Sequence, residues 1–111
     1  MTQAAGKLNH RIRLESLQTT QDSSGETVEE WTFEGDVWAE VAPLSAKEFV
    51  ASAAKQSPVV ARITVRYRSD IQANWRIQFR GRYYNIEGVL PDVVSGLEYM
   101  TLPVSYSIIA E

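Results

Sequence analysis

The sequence contains no cysteine, which excludes disulfides, thiolate catalysis and cysteine-based zinc sites. Its single histidine, His10, lies among the apolar positions of a predicted strand, and we interpret it as structural. No apolar run approaches the roughly 18 residues that a membrane-spanning helix needs. Residues 1–7 contain no hydrophobic stretch of the kind that marks a signal peptide. We therefore expect neither a signal peptide nor a membrane-spanning segment.

Motifs for catalysis and for cofactor binding are missing as well. The sequence has no G-x-S-x-G, no H-E-x-x-H, no phosphate-binding loop and no dinucleotide fingerprint. Acidic pairs such as Glu29-Glu30 have no histidine or cysteine beside them, which makes them weak metal candidates. We expect no enzyme activity, no cofactor and no metal site.

What the sequence does contain is enough apolar residues for one folded domain. Of its 111 residues, 44% are hydrophobic and 23% are charged, values close to the averages of globular proteins. A chain of this length buries about two-thirds of its surface on folding. We therefore predict a single domain over residues 1–111, without internal repeats.

Apolar and polar residues alternate along most of the chain with a period of two, which is typical of half-buried antiparallel strands. The alternations cover 8–15, 27–33, 37–42, 61–68, 75–80, 83–89 and 100–108. Turn signals separate them at 22–25, 34–36 and 80–82. We predict an all-β fold, a small antiparallel β-barrel, since closure pairs many short strands. The predicted core consists of Ile12, Leu14, Val65, Tyr67, Ile77, Phe79 and Ile86.

One segment, 45–59, interrupts this alternation between the early and the late strands. Ser45 and Glu48 form the S-x-x-E pattern of a capping box, and several alanines favour a helix. The apolar face is thin, with Phe49 and Val50 as its large residues, so a helix there would be marginal without packing. We predict either a short helix on the barrel or a mobile loop that becomes ordered against a partner. Its candidate contact residues are Ser45, Lys47, Glu48, Phe49 and Lys55.

Charge is unevenly distributed along the chain, whose net charge is −3. Residues 15–48 contain nine acids and one base, whereas residues 61–86 contain six arginines and one acid. The arginine-rich strands allow three interpretations: a solvated face, a subunit interface or a surface for DNA phosphates. The planar guanidinium suits bidentate contacts, which favours an interface over mere solvation. The candidate interface residues are Arg62, Arg66, Arg68, Arg76 and Arg80, together with Trp38, which is predicted to point outward.

Several short motifs occur in a fixed order from Gly6 to about Leu102. They are Gly6-Lys7-Leu8-Asn9-His10-Arg11-Ile12, Asp22-Ser23-Ser24-Gly25 followed by Trp31, Val37-Trp38-Ala39-Glu40-Val41, Glu48, Ile63-Thr64-Val65-Arg66-Tyr67-Arg68-Ser69-Asp70-Ile71 and Arg82-Tyr83-Tyr84-Asn85-Ile86. This order resembles that of the phage head–tail joining, or head closure, proteins. The pair Trp38-Ala39 and the strand Arg66-Tyr67-Arg68 are its most specific parts.

The resemblance implies a structural β-barrel subunit in the neck of a tailed bacteriophage or prophage virion, made in the cytoplasm of the bacterial host. Such proteins form a ring, commonly of twelve copies, on the portal–adaptor complex after DNA packaging. The ring closes the head and is the platform for tail-completion or tail tube proteins. Segment 45–59 occupies the place of a family loop that projects toward the channel, near packaged DNA. The residues also leave open an alternative, a nucleic-acid-binding β-barrel with an arginine-rich face.

Overall fold

A computed structural model of the protein describes residues 8–91 and 98–107. Within these residues the chain is mostly antiparallel strand, with one short helix, and the all-β prediction is confirmed. The predicted last strand reaches Ile108, which lies outside the described residues. The elements are β1 His10–Gln21, β2 Thr27–Pro43, α1 Ala46–Ala54, β3 Ala61–Arg66, β4 Arg76–Phe79, β5 Arg82–Ile86, β6 Leu90–Pro91 and β7 Tyr99–Tyr106.

Six of these strands pair in a closed ring. Their order is β3-β2-β1-β4-β5-β7, and β7 pairs in turn with β3. Every pairing is antiparallel. The two-residue β6 pairs with β7 beyond the end of β5. The sheet therefore closes on itself, as the many short alternating segments predict.

The closed sheet surrounds the hydrophobic core. The predicted core residues that are buried are Ile12, Leu14, Val65, Ile77 and Ile86. Phe79 packs against this core and is partly buried. The prediction is wrong for Tyr67, whose side chain is 37% exposed. Since β3 ends at Arg66, the inward–outward alternation of the strand does not extend to Tyr67.

The two longest strands, β1 and β2, continue past the closed sheet as a hairpin. Within the described part of the chain, residues 16–21 and 27–32 pair only with each other, and we call residues 16–32 the acidic hairpin. Asp22 forms its turn by accepting hydrogen bonds from the backbone N–H groups of Ser24 at 3.0 Å and Glu26 at 2.9 Å. The Ser24 hydroxyl also donates to this carboxylate and, with the backbone donors, lowers the pKa of Asp22.

The predicted interruption at 34–36 is wrong, because β2 continues through it. A bulge at this point accommodates one extra residue in β2 opposite β1. Gly35 has a φ of 150° there, and a Cβ atom on it would lie 2.9 Å from Nη1 of Arg68. The glycine thus lets Arg68 approach the backbone, where its Nη2 donates to the Glu34 carbonyl at 3.4 Å.

The predicted turn between β4 and β5 is a two-residue hairpin loop. Arg80 and Gly81 both have positive φ, 54° and 77°. Two positive φ values are the signature of the type I′ turn, whose twist matches that of the flanking strands. The turn therefore places the Arg80 side chain at the exposed end of the β4–β5 hairpin.

The segment between β2 and β3 is helical over Ala46–Ala54. The hydroxyl of Ser45 accepts the backbone N–H of Glu48 at 3.2 Å, and the Ser45 N–H donates to the Glu48 carboxylate at 3.0 Å. This is the predicted capping box. No residue of α1 is buried, and Phe49 and Val50 are 55% and 67% exposed. Of the two predicted alternatives the structure has the helix, without any anchor in the core.

Candidate interaction surfaces

The six arginines of residues 61–86 do not form one continuous face. β3 and β4, which carry several of them, lie on opposite sides of the closed sheet. Three of the arginines are also neutralised by a carboxylate of the same chain. These pairs are Arg62 with Glu48, Arg68 with Asp70, and Arg76 with Glu15. The arginines therefore lie in several separate environments and not on the single arginine-rich surface that the sequence suggests.

Arg76 is predicted to point into solvent, and that prediction is wrong, because only 5% of the residue is exposed. Its Nε donates to the Glu15 carboxylate at 2.6 Å. Its guanidinium carbon lies 4.3 Å from the ring centroid of Trp31 and 3.9 Å from that of Tyr83. The two rings attract the cation through their π faces, while Glu15 neutralises its charge. Since Trp31 belongs to the acidic hairpin, this cluster fixes the hairpin against β4 and β5.

Arg62 connects α1 to the sheet. Its Nη2 donates to the Glu48 carboxylate at 2.8 Å. This bond, followed by the backbone hydrogen bond from Ser45, lowers the pKa of Glu48 to about 2. Both side chains of the pair are nearly half exposed, so it orients the helix without burying it.

Arg68 is held in the turn that follows β3. Its Nε and Nη2 donate to the two carboxylate oxygens of Asp70 at 3.1 and 2.7 Å, a bidentate pair. The bond lowers the pKa of Asp70. Together with the contact to the Glu34 carbonyl, the pair joins this turn to the bulge in β2.

An open groove of about 710 Å³ lies where the start of β1 meets β2 and the end of β3. We call it the Trp38 groove; its lining residues are Leu8, Asn9, Val37, Trp38, Arg66 and Arg68. The Trp38 side chain is 53% exposed, so its predicted outward direction is confirmed. The guanidinium of Arg11 lies 5.1 Å from the Trp38 ring centroid. Exposed tryptophan beside arginine is the composition typical of protein interfaces.

Two cations at this groove have no carboxylate partner among residues 8–91 and 98–107. They are Arg11, which stacks on Trp38, and Arg66, whose guanidinium carbon lies 5.5 Å from the Tyr99 ring centroid. Sequence reasoning included Arg66 and missed Arg11. The signal for Arg11 was its outward position in the alternation of β1, directly across from Trp38.

Three further candidate residues do not line the Trp38 groove. Arg80 is at the β4–β5 turn, with its guanidinium carbon 5.0 Å from the Phe79 ring centroid. Lys47 and Lys55 are exposed at the two ends of α1, and Lys55 is its C-terminal capping residue. The structure thus separates the candidate residues into a groove, a helix and a hairpin turn.

Within the part of the chain that the structure describes, no three histidine, aspartate or glutamate side chains are grouped closely enough to hold a metal ion. The only helix described, α1, is too short to cross a membrane. The described surface has an exposed tryptophan, two arginines without a carboxylate partner among the described residues, an acidic hairpin and an unburied helix. The fold and surfaces define a small closed β-sheet domain suited to contacts with other proteins.

The chain belongs to the phage head completion protein family, whose model matches residues 4–105. It is 31% identical over 88 residues to the head completion protein gp7 of Enterobacteria phage HK97, an alignment that covers 75% of this chain and 79% of the relative. The predicted resemblance to phage head–tail joining proteins is thereby confirmed, and with it the class of virion structural protein.

Solved structures share the fold. The solution structure of protein SF1141 from Shigella flexneri 2a is 33% identical, has a TM-score of 0.79 and aligns with 96% of this chain and 98% of its own. A chain from the virion of a native gene transfer agent particle is 22% identical, with a TM-score of 0.62 over 91% of this chain and 96% of its own. At 22% identity, the similarity to the gene transfer agent chain shows a shared fold and nothing more.

Proposed function

We propose that the protein is a non-enzymatic subunit of the virion neck that forms a ring, closes the DNA-filled head and provides the platform to which the tail attaches. The observation that carries the proposal is the match of residues 4–105, nearly the whole chain, to the phage head completion family. The ring has twelve copies and contacts the portal–adaptor complex on one side and tail-completion or tail tube proteins on the other.

Segment 45–59 contacts a partner or faces the channel in this assembly. Support comes from α1, in which no residue is buried and in which Phe49 and Val50 are exposed. A nine-residue helix gains little stability from its own hydrogen bonds. Its apolar residues therefore have more to gain from a neighbouring protein, while Lys47 and Lys55 suit proximity to packaged DNA.

The alternative function, a nucleic-acid-binding module, has weaker support. A phosphate-binding surface needs uncompensated cations on one face. Here Arg62, Arg68 and Arg76 are paired with carboxylates, and the chain carries a net charge of −3. The distribution of charge favours contacts with other proteins.

Deletion of the gene from the phage or prophage that encodes it tests the proposal. We expect tailless heads that lose their DNA, together with free tails, and restoration of joined, DNA-filled particles when the protein is supplied in trans. A matched complementation with a variant that lacks residues 46–54 should give joined heads that retain less DNA. Normal particles in the deletion strain would contradict the proposed function.

A further inference from the structure

We propose that the acidic hairpin of one copy docks into the Trp38 groove of the next copy. This contact rests on the proposed ring and specifies which surfaces of the subunit form it. Two surface features have no oppositely charged partner among the described residues, one negative and one positive.

The acidic hairpin carries the negative feature. Residues 16–32 contain four acids and no lysine or arginine. Glu26, Glu29 and Glu30 form no ion pair within the described chain. Among the described residues neither edge of the hairpin has a neighbouring strand, since residues 16–21 and 27–32 pair only with each other. The monomer therefore presents a negative, two-stranded arm to its surroundings.

This arm is fixed at its base. The sandwich of Arg76 between Trp31 and Tyr83 fastens β2 to β5, and Glu15 binds the same guanidinium from β1. Next to it, the Ser16 hydroxyl donates to the Glu34 carboxylate at 2.5 Å across the two strands. A rigid base lowers the entropy lost when the arm binds, which favours its use as a docking element.

The Trp38 groove carries the positive feature. Arg66 lines it and Arg11 stacks on its Trp38, both without a carboxylate partner in the described residues, and Trp38 is more than half exposed. By contrast, Arg68 at the same groove is neutralised by Asp70. The groove thus offers an aromatic anchor and two cations to an incoming acidic segment.

The hairpin of one copy does not reach its own groove. Arg11 and Gln21 lie near opposite ends of β1, ten residues and about 33 Å apart along the strand. Two complementary surfaces at opposite ends of one subunit make a head-to-tail contact, and repetition of such a contact gives a ring or a filament. The geometry therefore assigns the groove to the hairpin of a second copy.

Reversal of charge on each side provides the test. We expect Glu29→Arg with Glu30→Arg, and separately Arg11→Glu with Arg66→Glu, each to reduce joined particles in the deletion strain by about tenfold or more, because like charges then meet at every contact. When both variants are produced together, alternating copies restore opposite charges, and joined particles should return. The control Arg82→Glu reverses an exposed cation that stacks on Tyr106, outside both the hairpin and the groove, and should leave joining unchanged.

Two outcomes would overturn the proposal. One is normal joining by each reversed variant alone. The other is failure of the mixture when both variants are folded, because that result assigns the hairpin or the groove to a different protein. A wild-type protein that does not restore joining would instead refute the proposed function, so the two failures are distinguishable.

A second measurement reverses no charge and covers the case of a reversed variant that does not fold. The chain has no cysteine, so Glu26→Cys and Asn9→Cys each introduce a single thiol. In particles assembled from both variants, a short bismaleimide linker should join the two into a dimer. Particles assembled from either variant alone should give no dimer, and absence of the dimer in the mixed particles would contradict the contact.

Discussion

Arg76 and Glu15 form an almost completely buried ion pair, in which Nε of Arg76 lies 2.6 Å from the Glu15 carboxylate and the side chains are 6% and 12% exposed. The pair joins β4 to β1 at the position where the acidic hairpin leaves the closed sheet. Because the aromatic rings of Trp31 and Tyr83 enclose the guanidinium, water has little access to either charge. The pair thus links the stability of the domain to the position of its hairpin.

Removal of one member of the Arg76–Glu15 pair should therefore strongly destabilise the domain. We expect Arg76→Met to lower the free energy of unfolding by about 3–5 kcal/mol, because it leaves the Glu15 carboxylate buried without a counter-charge. The double variant Arg76→Met with Glu15→Leu should recover most of that loss, since both charges are removed. Denaturant titration of the purified protein measures both changes.

The exposed pair of Arg13 and Asp36 provides the control. It has a distance of 3.5 Å and side chains 48% and 38% exposed. Arg13→Met should cost less than about 1 kcal/mol, as expected for a solvated ion pair. Equal losses for Arg76→Met and Arg13→Met would show that burial of the Arg76 pair has no energetic consequence.

Substitution of Gly35 should also destabilise the domain. A side chain at φ 150° is strained, and its Cβ atom would lie 2.9 Å from the Arg68 guanidinium. We expect Gly35→Ala to cost about 1–3 kcal/mol in unfolding free energy. Gly88→Ala is the matched control, because a Cβ atom there meets Pro103 at an ordinary 3.6 Å. If Gly35→Ala lowers the free energy of unfolding less than Gly88→Ala does, the proposed strain at Gly35 is contradicted.

The pKa of Glu48 should depend on Arg62. A folded-state pKa of about 2, below the ordinary value of 4.5, means that ionised Glu48 contributes to stability above pH 4.5 and that this contribution disappears as the pH falls through 2. Carboxyl-detected NMR titration should show the pKa of Glu48 rising toward 4.5 in Arg62→Gln. In Arg68→Gln the pKa of Asp70 should rise instead, with Glu48 unaffected. An unchanged Glu48 pKa in Arg62→Gln would contradict the contact between Arg62 and Glu48.

In the free protein α1 should exchange its amide hydrogens faster than the closed sheet does. The helix has no buried residue, so it can open without disturbing the core. Hydrogen exchange followed by NMR measures the difference, with amides of Ile63 and Val65 in the buried strand β3 as the internal reference. Slow exchange throughout α1 in a verified monomer would show that the helix is anchored.

Local rules are sufficient to predict most strands, both hairpin turns and the helix cap. Period-two alternation depends on neighbours in sequence, and so does the capping box of Ser45 and Glu48. The same alternation identified Trp38 as an outward side chain. These features follow from residues that lie within a few positions of one another.

Features that depend on contacts between residues far apart in the sequence could not be predicted from it. The burial of Arg76 requires Glu15, 61 residues away, and two aromatic rings from other strands. The bulge at Gly35 likewise depends on Arg68, which approaches from the turn after β3. Alternation alone predicts that such arginines are exposed to solvent. It predicts the face of the sheet on which a side chain lies, but not which other residues cover that face.

Electron microscopy of the protein mixed with the portal–adaptor complex tests the central claim most directly. We expect a ring of twelve closed β-sheet domains on the tail-facing side of the complex, with the acidic hairpin of each copy at the Trp38 groove of its neighbour. The portal–adaptor complex alone, imaged under the same conditions, is the control. A complex that binds no copy of the protein, or binds isolated copies without mutual contacts, would contradict the account.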